Sequence, residues 1–219
     1  MIHFMSKKLI AVLGAGPGLG VHIGKEFGNH DFRVILLARG EDALRNYTRE
    51  LSQAGIEADY HVADCSDNLS IKSALTEVSQ KYGGIDVLVY NTAVLLGGSP
   101  LTLTPDELVS RYQVDVAGAL CAVQQVVPYM KEQKSGAILL TGGGLALDPA
   151  PGVLSVSLHK AALRALATAL HKELNGDGIY TGIVTIKGGI GSDDYYSPAR
   201  IAGLFYQLYE KQNETEIIY

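Results

Sequence analysis

"KLIAVLGAGPGLG" occupies residues 8–20 and decides how the rest of the chain is read. Its first half is a near-continuous run of large apolar residues, the pattern of a strand buried on both faces. Its second half, Leu13–Gly20, is glycine-rich and leads into a helical pattern from residue 18. The glycines at 14, 18 and 20 follow a G-x-x-x-G-x-G spacing. Without Cβ atoms such a turn lets the backbone approach a pyrophosphate, whose charge then rests on the helix N-terminus. Gly20 lets that helix pack close to the strand. A tight turn with no ligand also uses glycine, so the strand–turn–helix context carries the reading rather than the glycines alone.

Outward from this segment, apolar runs alternate with helical patterns. Strands are expected at 8–14, 32–38, 57–63, 86–90, 136–141 and 180–186, with a last one at 215–219. Helices are expected at about 18–29, 41–54, 68–82, 105–133, 153–175 and 198–211. Buried strands separated by helices imply a parallel sheet covered on both faces, and right-handed crossovers make it doubly wound. The expected class is α/β, a Rossmann-type sheet in a single domain spanning 1–219. No repeat, low-complexity tract or linker interrupts it.

Composition narrows the function classes. With 219 residues, 47% of them hydrophobic, the chain can bury one sizeable core. A net charge of −5 argues against a broad nucleic-acid footprint. Cys65 and Cys121 provide neither a disulfide framework nor a metal-ligand spacing, so no metal is expected and a reducing, cytoplasmic setting is the default. Lys7 and Lys8 before an apolar run imitate a signal peptide, but the run is short and passes directly into the glycine turn. Met1–Ser6 reads as a loose extension, with Met5 as a candidate start. No apolar stretch has the length of a membrane span.

These features resemble the short-chain dehydrogenase/reductase family over nearly the whole chain. The family's glycine motif falls on Gly14, Gly18 and Gly20, and its adenine-binding acid on Asp64 in "ADCSD". Its Asn-Asn-Ala-Gly segment appears as Tyr90-Asn91-Thr92-Ala93, and its Pro-Gly as Lys187-Gly188. The threonine that holds the nicotinamide carboxamide corresponds to Ser192. The resemblance implies cofactor contacts at Gly14, Gly16, Gly18, Leu19, Gly20, Asp64, Cys65, Asn91, Ala93, Lys160, Gly188, Ile190 and Ser192. At the end of the second strand, Ala38 stands where an acid would accept the ribose hydroxyls of NAD, and Arg39 follows. A guanidinium there pairs with a 2′-phosphate, so NADP(H) is expected over NAD(H).

The family's reaction centre uses Asn, Ser, Tyr and Lys, the tyrosine exchanging a proton with the substrate while the lysine ammonium favours its phenolate. Aligned here, those positions hold Asp115, Gly143, Val156 and Lys160. Valine cannot move a proton, and no tyrosine lies between Met130 and Tyr180 to restore the motif by a shift in register. Lys160 is then either the retained cofactor-ribose lysine or a solvated helix charge. Substitute donors are His159, one turn along the same helix, and Tyr195 or Tyr196 in the loop that folds over the nicotinamide in the family. Asp193 and Asp194 read as solvated or capping charges. The segment after Gly188 is short for the family, which implies a reduced lid.

The helix from 153 to 174 carries Leu154, Leu158, Ala161, Ala162, Ala165, Leu166, Ala169 and Leu170 on more than one stripe, so more than one side needs cover. Together with the 105–133 helix this implies a homodimer or homotetramer. The function expected is an NADP(H)-binding member of this family. It is read either as a divergent oxidoreductase of a small carbonyl or alcohol, or as a non-catalytic dinucleotide-binding or regulatory subunit. A mere scaffold is disfavoured because the cofactor motifs survive better than the catalytic ones.

Overall fold

The apolar run forms β1 (Leu9–Leu13), with every residue buried. In this computed structural model, which describes residues 7–219, β1 lies between β2 (Arg33–Ala38) and β4 (Val87–Tyr90), parallel to both. The expected extension Met1–Ser6 lies outside the described residues. With β3 (Ala58–Val62), β5 (Gly136–Gly143), β6 (Ile179–Ile186) and β7 (Glu216–Ile218), the sheet has seven parallel strands in the order β3-β2-β1-β4-β5-β6-β7. The chain winds outward to β3, then returns to place β4 against β1. That reversal opens a crevice at the carboxyl ends of β1 and β4.

The strand period of two separates the core into two faces. Leu9, Ala11 and Leu13 pack under α3 (Asn68–Tyr82), α5 (Gly118–Gln133) and α6 (Leu154–Leu174). Ile10 and Val12 pack under α1 (Leu19–Asn29), α2 (Glu41–Gln53) and α7 (Pro198–Lys211). Boundaries depart from the sequence reading by one or two residues. β5 runs on to Gly143 because it pairs with β6 along its whole length, Gly143 opposite Ile186. The C-terminal strand is present, held to α6 by the bidentate pair of Arg164 with Glu216, Nε donating to Oε1 and Nη2 to Oε2.

One expectation needs correction. The helix expected over 105–133 is broken into α4 (Pro105–Tyr112), a π-helical turn Gln113–Ala117, and α5. The wide turn turns the Val114 carbonyl outward, where it accepts from the hydroxyls of Tyr90 and Thr92. Gly118 is required behind it, since a Cβ there would strike the Tyr90 hydroxyl. Neither interaction leaves a trace in helical periodicity.

In α6 the apolar residues fall on two sides: Leu154, Ala162, Leu166 and Leu170 are half-buried, while Leu158, Ala161, Ala165 and Ala169 are exposed on the chain. The buried side is largely polar, with Ser155, Ser157, His159 and Lys160 alongside Val156 and Leu163. Tertiary partners satisfy most of those polar groups, which lets that side of the helix be buried.

Candidate functional site

The glycine turn is shaped by its neighbours. Gly14 has φ +83°, and a Cβ there would lie 2.5 Å from the Asn91 carbonyl oxygen. A Cβ at Gly20 would lie 2.6 Å from the Gly14 oxygen and 2.8 Å from Ala15 Cα, so α1 reaches the turn only because residue 20 is glycine. Gly16 is different. A Cβ there meets nothing within 4 Å, and its φ is not among the positive values. Gly18 is the N-cap of α1 and brings no side-chain hydrogen bond to the first turn, which also lacks acidic residues. Val21 N is taken by the Gly16 carbonyl at 3.2 Å, which leaves the amides of Leu19 and Gly20 as those the first turn can offer an anion.

A cleft of about 630 Å³ opens at this turn. The predicted residues Gly14, Gly16, Arg39, Asp64, Cys65, Asn91 and Ala93 all line it, with Ala38 beside Arg39. Sequence reading missed Val94, Leu95, Leu96 and Val114 on the opposite wall. The run "VLL" directly after the Asn91 segment is the signal that was available. Asp64 Oδ1 accepts from Ser66 N at 2.9 Å and Ser66 Oγ at 2.8 Å, which holds its carboxyl below the usual range, and the nearby Arg39 cation adds to this. Burial pushes the Cys65 thiol up to about 11, so it lines the cleft as an apolar group rather than as a nucleophile.

From the turn a chain of hydrogen bonds reaches the reaction-centre positions. Asn91 Nδ2 donates to the Gly14 oxygen at 3.0 Å, while Asn91 Oδ1 accepts from Thr141 Oγ1 at 2.8 Å. The Thr141 carbonyl accepts from Lys160 Nζ at 2.7 Å. Lys160 is 6% exposed, which removes the reading of a solvated helix charge. Burial lowers its ammonium to about 8, with the carboxylate of Asp115 opposing that shift. The aliphatic stem of Lys160 lies over Gly143, where a Cβ would fall 3.2 Å from Lys160 Cγ. Val156 is buried at 3% exposure.

The substitute donors fall in two places. His159 is fully buried; its Nδ1 lies 2.8 Å from Asp115 Oδ2, and its Nε2 has no partner among the described residues. Asp115 Oδ1 accepts from Val94 N at 2.9 Å. Tyr195 stacks on Tyr219 with ring centroids 4.4 Å apart, and Tyr219 Oη donates to the Tyr195 carbonyl at 2.6 Å. Tyr196 lies edge-on to both rings and covers Gly188, where no Cβ fits. Asp193 accepts from the Tyr196 amide at 2.8 Å, a capping role. Ile190 and Ser192 are exposed on the same loop. The structure thus brings together Lys160, Gly143, Asp115 and His159, and sets Tyr195 and Tyr196 in a separate aromatic cluster.

Comparison with known proteins agrees with this geometry. The family model described as short chain dehydrogenase matches residues 8–192. The putative ketoacyl reductase of Streptomyces coelicolor is 30% identical over 176 residues, covering 77% of this chain and 65% of that protein. Human short-chain dehydrogenase/reductase 3 is 28% identical over 167 residues, covering 76% of this chain and 55% of that protein. The matched segment thus spans less than two thirds of either relative. A metagenomic short-chain oxidoreductase solved in complex with NADP superposes with a TM-score of 0.89 at 28% identity, covering 96% of this chain and 95% of that one. A variant of actinorhodin polyketide ketoreductase, solved with NADPH, shares the fold with a TM-score of 0.89 at 23% identity, covering 97% and 95%. With the glycine turn, the doubly wound sheet and the buried Lys160 in place, the chain belongs to the short-chain dehydrogenase/reductase family.

Proposed function

We propose that this protein binds NADP(H) in preference to NAD(H), as a divergent oxidoreductase of a small carbonyl or alcohol. One observation carries the reading: the glycine turn, Arg39, Asp64 and Asn91 converge on one cleft of about 630 Å³. The residues present fit a dinucleotide. Gly16 is a glycine that the protein's own packing does not require, and the first turn of α1, without a side-chain cap, leaves the Leu19 and Gly20 amides for a pyrophosphate. Arg39 would take the 2′-phosphate, Asp64 the adenine, Lys160 the nicotinamide ribose and Ser192 the carboxamide. The solved relative in complex with NADP supports a nicotinamide dinucleotide as the ligand. When bound, the nicotinamide supplies or accepts the hydride.

A second reading is favoured by a specific observation. Val156 and Gly143 offer neither a proton nor a hydroxyl, and Lys160 is turned to the Thr141 carbonyl. On that basis the protein serves as a dinucleotide-binding or regulatory subunit. The exposed row Leu158, Ala161, Ala165 and Ala169 supports assembly as a homodimer or homotetramer through α6. Two cysteines left unpaired fit a reducing cytoplasm. Among the described residues no helix is long and apolar enough to cross a membrane.

Calorimetric titration with NADP(H) and NAD(H) tests the cofactor reading, and tighter NAD(H) binding overturns the preference. Cofactor oxidation across a carbonyl panel separates the oxidoreductase from the regulatory subunit.

A further inference from the structure

The first half of the loop from Asn91 to Leu103, residues 91–96, lines the dinucleotide cleft, and it exposes Leu95 and Leu96 by 76% and 55%. Exposed apolar side chains give such a loop little reason to be ordered, because fixing its backbone costs conformational entropy that burial does not return. Yet its main chain is gripped at three residues by two buried charged side chains. Asp115 accepts from the Val94 amide at 2.9 Å. Arg111 donates to the Gly97 carbonyl at 3.0 Å and to that of Leu96 at 3.4 Å. The polarity is matched, a carboxylate for the N–H and a guanidinium for the carbonyls.

Each grip is backed by α6. Arg111 Nη1 also donates to Ser155 Oγ at 3.2 Å, and Asp115 Oδ2 faces His159 Nδ1 at 2.8 Å. Ser155, His159 and Asp115 are fully buried and Arg111 is 9% exposed. A carboxylate only accepts hydrogen bonds, so its second buried oxygen needs a donor from elsewhere. His159 is that donor. Without it, Asp115 is either left unsatisfied or pulled off the Val94 amide.

We propose that His159 and Ser155 are positioning residues which, through Asp115 and Arg111, fix the Val94–Gly97 segment, whose Val94, Leu95 and Leu96 line the dinucleotide cleft. The inference rests on the NADP(H) reading above for its consequence in binding, and on hydrogen bonds alone for the clamp. It also gives the buried His159 a use without proton transfer.

The test is amide exchange followed by NMR on the whole protein, paired with NADP(H) titration, for the unmodified chain, His159→Leu and His159→Asn. The Asn amide stands where His Nδ1 stood and can still donate to Asp115. His159→Leu is expected to speed exchange at Val94 by about tenfold or more and to weaken NADP(H) binding by about five- to twentyfold. His159→Asn should restore both. The Gly98 and Leu154 amides, bonded to the carbonyls of Gly152 and Gly98, serve as internal references. Unchanged exchange at Val94, or acceleration spread evenly through the sheet, overturns the clamp. Local acceleration with undiminished NADP(H) affinity overturns its link to the cleft. Turnover abolished in His159→Asn at intact affinity replaces positioning with proton transfer. If the unmodified protein binds no dinucleotide, the functional reading falls, and the exchange at Val94 alone decides the clamp.

Discussion

Lys160 Nζ donates to the Thr141 carbonyl at 2.7 Å, while the hydroxyl of Thr141 donates to Asn91 at 2.8 Å. The lysine of the reaction centre is thereby coupled, through one threonine and one asparagine, to the Gly14 carbonyl of the cofactor turn. A lysine held in this way is buried and tied to Asn91, which lines the cleft, rather than set in solvent. Changes at either end of the chain of bonds have consequences that can be measured.

Lys160→Met is expected to weaken NADP(H) binding by about ten- to a hundredfold, since hydrogen bonds to a charged group contribute about 1.5–3 kcal/mol. Its effect on stability depends on pH. Burial lowers the folded-state value to about 8 from 10.5, so the unfolded chain holds the proton more tightly. Linkage then makes the unmodified protein gain stability relative to Lys160→Met as pH rises from about 8 to 10.5, and lose that gain as pH falls back through 8. Denaturant unfolding of both proteins across this range measures the difference. A flat difference would show that Lys160 titrates as an exposed lysine.

Gly16 and Gly20 should separate binding from folding. Gly16→Ala adds a methyl group into open space and is expected to leave Tm within about a degree or two, while NADP(H) affinity falls about tenfold or more, on the order of a lost backbone approach. Gly20→Ala meets main-chain atoms at 2.6 and 2.8 Å and should destabilise by about 1–3 kcal/mol. Thermal melts with and without NADP(H) distinguish the two. A Gly16→Ala protein with undiminished affinity removes the pyrophosphate from the turn.

Arg39→Ala should shrink the NADP(H) over NAD(H) preference by about tenfold, the scale of one charged hydrogen bond, with NAD(H) affinity little changed. Titration of both cofactors against both proteins reads this directly. An equal loss for the two dinucleotides would assign Arg39 to a part they share.

Restoring the missing groups should restore chemistry. Positioned proton transfer contributes about 10²–10⁴-fold, so Gly143→Ser with Val156→Tyr is expected to raise carbonyl reduction by at least about a hundredfold. The serine Cβ must displace the Lys160 stem by a few tenths of an ångström from its 3.2 Å approach, which a flexible side chain allows. NADPH oxidation on a panel of small ketones and aldehydes is the assay. No gain in a folded, NADPH-binding double variant would place the reaction centre elsewhere.

Ala165→Arg, on the exposed face of α6, should convert an oligomer into a monomer without loss of fold. Light scattering after size exclusion reports the mass. An unmodified protein that is already monomeric ends the proposal of assembly through this face.

The sequence by itself determined the order of strands and helices, the parallel sheet and the turn from β1 to α1. These rest on local patterns, namely apolar runs of strand length, helical patterns between them and glycine spacing. It also determined that Val156 and Gly143 lack the groups for proton transfer, because that is a matter of side-chain chemistry. Only the tertiary structure decided where the polar residues of α6 point. Ser155, His159 and Lys160 look like an exposed face in periodicity, yet they are buried because Arg111, Asp115 and the Thr141 carbonyl come to them from other elements. The π-helical turn that carries Asp115 inward was equally hidden, since its cause is a pair of hydroxyls from β4 and the loop after it. Tyr195 and Tyr196, plausible donors in one dimension, are drawn to Tyr219 by aromatic stacking across the end of the sheet. A linear pattern records what each residue prefers alone, whereas a buried polar group is placed by the partner that satisfies it, and that partner lies far away in the chain.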